Sequence, residues 1–202
     1  TCILALEMGR QDEIVTVSKN AAGVEGSSMY LAHGEKLPLI ELLYGLMLSS
    51  GNDAAVAIAE HIAGSENAFV ERMNKTAAEL KMTNTNFMNC VGYDHENHYS
   101  TARDIAVMAG ELKKYDYFDE FLLTRLDSVR TGTKRETQLL NTNKLITSYN
   151  GITGLKTGTT VFESDGTTEE VTIGHTYTLV LSDFQNPRTT IANPITVPIQ
   201  IN

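Results

Sequence analysis

Long apolar runs are missing from this chain; no stretch approaches the roughly 20 residues needed to cross a bilayer. Basic residues are also scarce, with 16 Lys and Arg against 25 Asp and Glu and a net charge of -9. That balance excludes a nucleic-acid partner, whose phosphates reward Lys and Arg. Cysteine is nearly absent. Cys2 and Cys90 lie in no CxxC or other metal-spaced set, so they read as buried small hydrophobes, with a disulfide between them left open. Four frequent catalytic patterns are missing too: there is no GxSxG elbow, no P-loop, no HExxH and no GxGxxG.

What remains is ordinary for a globular protein, with 42% hydrophobic and 20% charged residues in 202. That length holds one medium domain, or one domain with a small appendage. Residues 42–64, LLYGLMLSSGNDAAVAIAEHIAG, are the most informative stretch. Leu42, Leu43, Leu46 and Met47 recur at helical spacing, and so do Ala54, Ala55, Ile58, Ala59 and Ile62. Between them Ser49-Ser50-Gly51-Asn52-Asp53 is a knot of turn formers and N-cap residues. The pattern predicts a buried helix, a tight polar turn and a second helix entered through Asn52 or Asp53. Polar side chains at such a helix mouth must find hydrogen-bond partners in protein, water or substrate.

Along the rest of the chain, residues 1–9 read as the back half of an apolar helix stopped by Gly9, so the chain is expected to begin inside an element. Residues 13–18 alternate as a strand, residues 21–28 form a small-residue loop, and Pro38 opens a helix over 39–48. Ser65 caps a helix over 66–80 with Phe69, Met73, Ala77 and Leu80 on one face. Residues 83–99 are polar and irregular. Ser100 or Thr101 then caps a helix reaching about Lys114, with Ile105, Met108, Ala109 and Leu112 inward. A short helix is expected over 117–123, a hairpin over 128–133 and 136–140, and a turn over 141–144. Three glycines punctuate residues 151–160, as happens on a strand that another backbone or a ligand approaches closely. From residue 161 the character becomes extended, Thr-rich and Pro-punctuated. The expected division is therefore a catalytic-type domain over 1–160 and a β-rich tail over 161–202.

His95-Glu96-Asn97-His98 has metal-like composition, but it sits in a turn-rich loop where no helix sets the two histidines on one face. A solvated loop is the better reading. His33 and His61 are assigned to structure. Two elements are left, Ser50-Gly51-Asn52 between apolar helices and Lys156-Thr157-Gly158 on the Gly-rich stretch. Singly, the first could be a helix cap and the second a hairpin end. Together and in this order they match the second and third signature elements of penicillin-interacting serine enzymes.

With their flanks, LLYGLMLSSGNDAAVAIAEHIAG, GYDHENHYSTARDIAVMA and NGITGLKTGTT resemble the serine-type D-alanyl-D-alanine carboxypeptidases of peptidase family S11. These are low-molecular-mass penicillin-binding proteins that trim peptidoglycan. The resemblance covers residues 1–160. It implies an α+β fold of the β-lactamase/transpeptidase-like kind, an antiparallel sheet with packed helices and a helical subdomain, incomplete here. It also implies an acyl-enzyme route to loss of the terminal D-Ala of stem peptides, inhibition by β-lactams, and no metal or organic cofactor. Ser50, Asn52 and Lys156 would be catalytic, and Thr157, Gly158 and Thr159 would bind substrate. In that chemistry Ser50 relays a proton, Asn52 holds the base and the substrate backbone, and Lys156 attracts the terminal carboxylate. Thr157 adds a hydroxyl to that carboxylate. Gly158 lets the peptide lie along the strand edge, and the Thr159 N–H forms half of an oxyanion hole.

The first signature element, S-x-x-K, is absent: no serine is followed three positions later by lysine. By the family pattern it would fall just before residue 1. The expectation is that this polypeptide alone neither hydrolyses D-Ala-D-Ala peptides nor is acylated by penicillin. Residues 161–202 also depart from the family's apolar continuation. The alternatives are a non-catalytic remnant that binds peptide or β-lactam, and an extracellular β-rich interaction module. An extracytoplasmic location rests on the resemblance alone, as would any tether to the membrane.

Overall fold

The computed structural model of the protein describes residues 1–148 and 156–157. Its centre is a pair of helices, α3 (Leu39–Ser49) and α4 (Asn52–Ala63), around which the other elements pack. In α4 every residue from Asp53 to Ala59 is buried. A helix covered all round is expected when most of its side chains are small and apolar. α3 contributes Leu39, Leu42, Leu43, Met47 and Leu48 to the same core, each burial stabilising by about 1.5–3 kcal/mol before entropy is counted. Helix α1 (Cys2–Met8) buries Cys2 through Leu6 against this pair.

Around that centre, β1 (Ile14–Thr16) pairs antiparallel with β2 (Lys36–Pro38), Ile14 opposite Pro38. The four-residue α2 (Lys19–Ala22) lies between them in sequence, its Ala21 N–H accepted by Ser18 Oγ at 2.9 Å. A second ribbon joins β3 (Leu126–Val129) and β4 (Thr137–Leu140), with Leu126 opposite Leu140. Both ribbons pack against α3, as does α7 (Tyr117–Leu123), whose Phe121 meets Tyr44 edge to face at 5.0 Å. Helices α5 (Glu66–Glu79) and α6 (Ala102–Leu112) and the short α8 (Leu145–Ser148) complete the described elements.

Helix starts follow the cap chemistry. Ser65 Oγ accepts from Ala68 N at 3.2 Å, and Thr101 Oγ1 accepts from Asp104 N at 3.2 Å. α3 has no side-chain cap. Its first N–H groups instead reach the incoming chain, Leu39 N to Glu13 O at 2.8 Å and Ile40 N to Gln11 O at 3.0 Å. α4 ends at Gly64 in the left-handed conformation, φ 80°. The 83–99 stretch carries only a bridge between Asn86 and Tyr99, and it is moored to α6 by Asp104. That buried carboxylate accepts from Asn84 N at 2.9 Å and Thr85 Oγ1 at 2.8 Å.

Three short elements differ from the sequence expectation. Residues 19–22 are helical where the loop was expected to begin, 36–38 form a strand, and 145–148 form a helix. α4 begins at Asn52, one of the two expected entrances, with Gly51 as its N-cap. Leu80 and Ile105 are half-buried and not part of the closed core. Cys2 and Cys90 are both buried free thiols, and burial pushes the Cys2 thiol up to about 12. The strand expected within residues 151–160 and the tail from 161 lie outside the described residues, apart from Lys156 and Thr157.

Candidate active site

The turn between the two central helices is backbone-strained. Ser50, at the end of α3, has φ 55° and ψ 34°, a left-handed conformation costing about 1–2 kcal/mol for a residue with a side chain. The Gly51 N–H closes this turn by donating to Gly45 O at 3.0 Å. The turn thereby lifts the Ser50 hydroxyl off the helix axis into a cleft of about 570 Å³. That hydroxyl accepts a hydrogen bond from Lys156 Nζ, which joins the two motifs 106 positions apart in sequence. Lys156 Nζ also donates to Thr157 O at 3.1 Å. Burial of Lys156 pushes its amine down to about 8.

Thr157 is held by a hydroxyl–hydroxyl bond to Thr142 at 2.6 Å. Thr142 in turn donates its backbone N–H to Leu48 O, in the last turn of α3, at 3.1 Å. One residue thus ties the Lys156–Thr157 segment to the helix that presents Ser50. Asn52, the first residue of α4, donates its backbone N–H to Ser27 O at 2.7 Å and its side-chain Nδ2 to Glu25 O at 2.9 Å. Gly158 and Thr159 lie outside the described residues.

Asp53 was read in the sequence only as a cap candidate. It is 1% exposed and organises the wall of the cleft. Its carboxylate accepts from Ser28 Oγ at 2.6 Å, Met29 N at 3.1 Å, Leu31 N at 2.9 Å and Ala54 N at 2.9 Å. A buried carboxylate is tolerable when several donors meet it. The available signal was an acid flush against an alanine-rich apolar helix, a position that desolvates it. Tyr93 and Thr142, which also line the cleft, had no local signal; only the fold brings them there. The histidines of the 95–98 loop face backbone amides: His95 Nδ1 accepts from Asn97 N at 3.0 Å and His98 Nδ1 from Met88 N at 3.4 Å. Among the described residues no group of three or more His, Cys, Asp or Glu side chains could hold a metal ion.

A cleft with a lysine amine on a serine hydroxyl, beside an asparagine amide, is equipped to hold a carboxylate and to pass a proton. Comparison with known proteins identifies the family. The family description peptidase S11, D-alanyl-D-alanine carboxypeptidase, matches residues 3–174. The chain belongs to this family. The D-alanyl-D-alanine carboxypeptidase DacF of Bacillus subtilis is 46% identical over 158 residues, which are 77% of this chain and 41% of the relative. DacC of Escherichia coli is 36% identical over 155 residues, 73% of this chain and 38% of the relative. The chain therefore spans about two fifths of the length of these S11 relatives. Among solved structures, a mutant of the Streptomyces K15 DD-transpeptidase superposes with a TM-score of 0.70 at 31% identity, over 78% of this chain and 68% of that one. A D-alanyl-D-alanine carboxypeptidase from Mycobacterium tuberculosis gives 0.73 at 27% identity, over 79% and 61%. The S11 fold is thus shared across the described helices and ribbons, an α+β arrangement of the DD-transpeptidase kind.

Proposed function

We propose that Ser50, Asn52, Lys156 and Thr157, with Gly158 and Thr159 from the motif, form the recognition and proton-relay side of a D-Ala-D-Ala carboxypeptidase site. The substrates are peptidoglycan stem peptides ending in D-Ala-D-Ala, the setting is the cell envelope outside the cytoplasmic membrane, and β-lactams are inhibitors. The observation that best supports this is the hydrogen bond from Lys156 Nζ to Ser50 Oγ at the cleft.

In this reading the Lys156 ammonium and the Thr157 hydroxyl take the terminal carboxylate. The Asn52 amide takes the peptide backbone, and Ser50 passes a proton to the departing amine of D-Ala. Acyl transfer itself needs a nucleophile with a nearby base, and none of the serines in the 202 residues is followed three positions later by lysine. Recognition without turnover is the expected behaviour of this chain. The division at residue 160, with a β-rich segment over 161–202, belongs to the same proposal and is testable by limited proteolysis with mass mapping.

The direct test is calorimetric titration with an N-acyl-L-Lys-D-Ala-D-Ala tripeptide, using the all-L tripeptide as control. Binding of the D-form that weakens at least about tenfold in Lys156→Ala supports the reading, since a charge-assisted bond is worth about 1.5–3 kcal/mol. Intact mass after incubation with benzylpenicillin completes it. An adduct would place a nucleophile within the chain, contrary to the role assigned here; no binding and no adduct would leave the interaction-module alternative.

A further inference from the structure

The Glu25 carbonyl accepts two hydrogen bonds from residues that line the cleft. One comes from Asn52 Nδ2 at 2.9 Å, the other from the Tyr93 hydroxyl at 2.7 Å. A carbonyl oxygen has two lone pairs, so both donors are accommodated and each limits where the other can stand. The two walls they join are themselves anchored. On one side Asp53 holds residues 28–31, as described above. On the other Asn89 Oδ1 accepts from Gly92 N at 2.6 Å and Tyr93 N at 3.0 Å, and Asn89 Nδ2 donates to Tyr93 O at 2.9 Å. The shared carbonyl is followed by Gly26, φ 87°, where a Cβ would stand 2.7 Å from Asn52 Nδ2. The Asn52 amide therefore occupies the room that a side chain at residue 26 would take, and an added Cβ would press on it.

We propose that Tyr93 is a positioning residue for Asn52. By sharing the Glu25 carbonyl its hydroxyl keeps that oxygen in place, so the Asn52 amide stays committed to one orientation. One amide N–H is used on Glu25, which leaves the second N–H and Oδ1 for a ligand in the cleft that Asn52 lines. Such a group meets a peptide unit with a donor and an acceptor side by side, which suits the backbone amide of an extended peptide. The inference deepens the functional reading above and rests on it for the identity of the ligand, but not for the geometry of Asn52.

The test separates the two. In ligand-free protein, the Asn52 side-chain NH₂ resonances are compared between wild type, Tyr93→Phe and Gly26→Ala. Tyr93→Phe keeps the ring and removes only the hydroxyl, and Gly26→Ala reaches the same amide from the other side. Both are expected to shift the Asn52 NH₂ pair and speed its exchange with water, with the melting temperature of Tyr93→Phe unchanged. Titration with N-acyl-L-Lys-D-Ala-D-Ala is then expected to show about three- to tenfold weaker binding in Tyr93→Phe, the scale of one hydrogen bond. That loss should vanish in an Asn52→Ala background. Unmoved Asn52 resonances in a folded Tyr93→Phe protein would overturn the proposal, and so would a binding loss that persists without the Asn52 amide. Shifted resonances in a protein that binds no tripeptide would uphold the positioning role while removing the D-Ala-D-Ala reading.

Discussion

At Lys156 a single group carries most of the pH dependence expected of the site. Burial lowers its amine to about 8, so the ammonium proposed to take the substrate carboxylate is present below that pH and lost above it. Tripeptide affinity should fall as pH rises through about 8, measured by titration across pH 6.5–9.5. Lys156→Arg, which stays charged throughout, should flatten the profile; an unchanged profile in that variant would show that another group controls it. Asp53 acts on stability more than on charge. Replacing it by Ala leaves the Met29 and Leu31 N–H groups without their acceptor, and stranded buried donors cost about 1–3 kcal/mol each. Urea unfolding should show Asp53→Ala destabilised by about 3 kcal/mol. Asp53→Asn, which keeps one acceptor oxygen, should lose less.

Among the elements, the β3–β4 ribbon is fastened to the 29–35 segment by two arginines, of which Arg130 is the buried one. Arg130 is 5% exposed; its Nε donates to Glu35 Oε1 at 2.5 Å and its guanidinium to Met29 O at 3.2 Å. Arg135 reaches the second oxygen of Glu35 at 2.6 Å. Burial alone would raise the Glu35 carboxyl, but the Arg130 hydrogen bond and the neighbouring positive charges outweigh it, and the group sits below its ordinary value of 4.5. A lowered carboxylate contributes stability above the unfolded value that is lost as pH falls through the folded one. Stability should therefore decline on acidification below about 4.5, and Arg130→Met should weaken that dependence. The same variant should lose about 3–5 kcal/mol at neutral pH, because it leaves a carboxylate without its main partner. Since Met29 also meets the Asp53 carboxylate, the ribbon and the cleft wall share a support, and a double-mutant cycle between Arg130 and Asp53 should be non-additive.

For the molecule as a whole, the two thiols report on the closure of the core. Cys2 and Cys90 are each 7% exposed, and burial holds both thiols protonated well above neutrality. At pH 8 Ellman's reagent should leave both unmodified in the folded chain and label both in urea. Rapid labelling of either without denaturant would mean that the α1 region opens on its own.

The residue order already contained the helical core, since apolar spacing marks α3, α4, α5, α6 and α7 directly, and Ser65 and Thr101 announce their helices through local cap chemistry. It also contained Ser50, Asn52 and Lys156 as a matched pair of motifs, and with them the family. Strand β2 and helices α2 and α8 were not legible. Three or four residues carry no period, and β2 is defined only by its pairing with β1. The roles of Asp53, Tyr93 and Thr142 were decided by tertiary structure alone. Each acts through contacts with residues 15–94 positions away, and a hydrogen bond across that separation leaves no trace in the local pattern on either side.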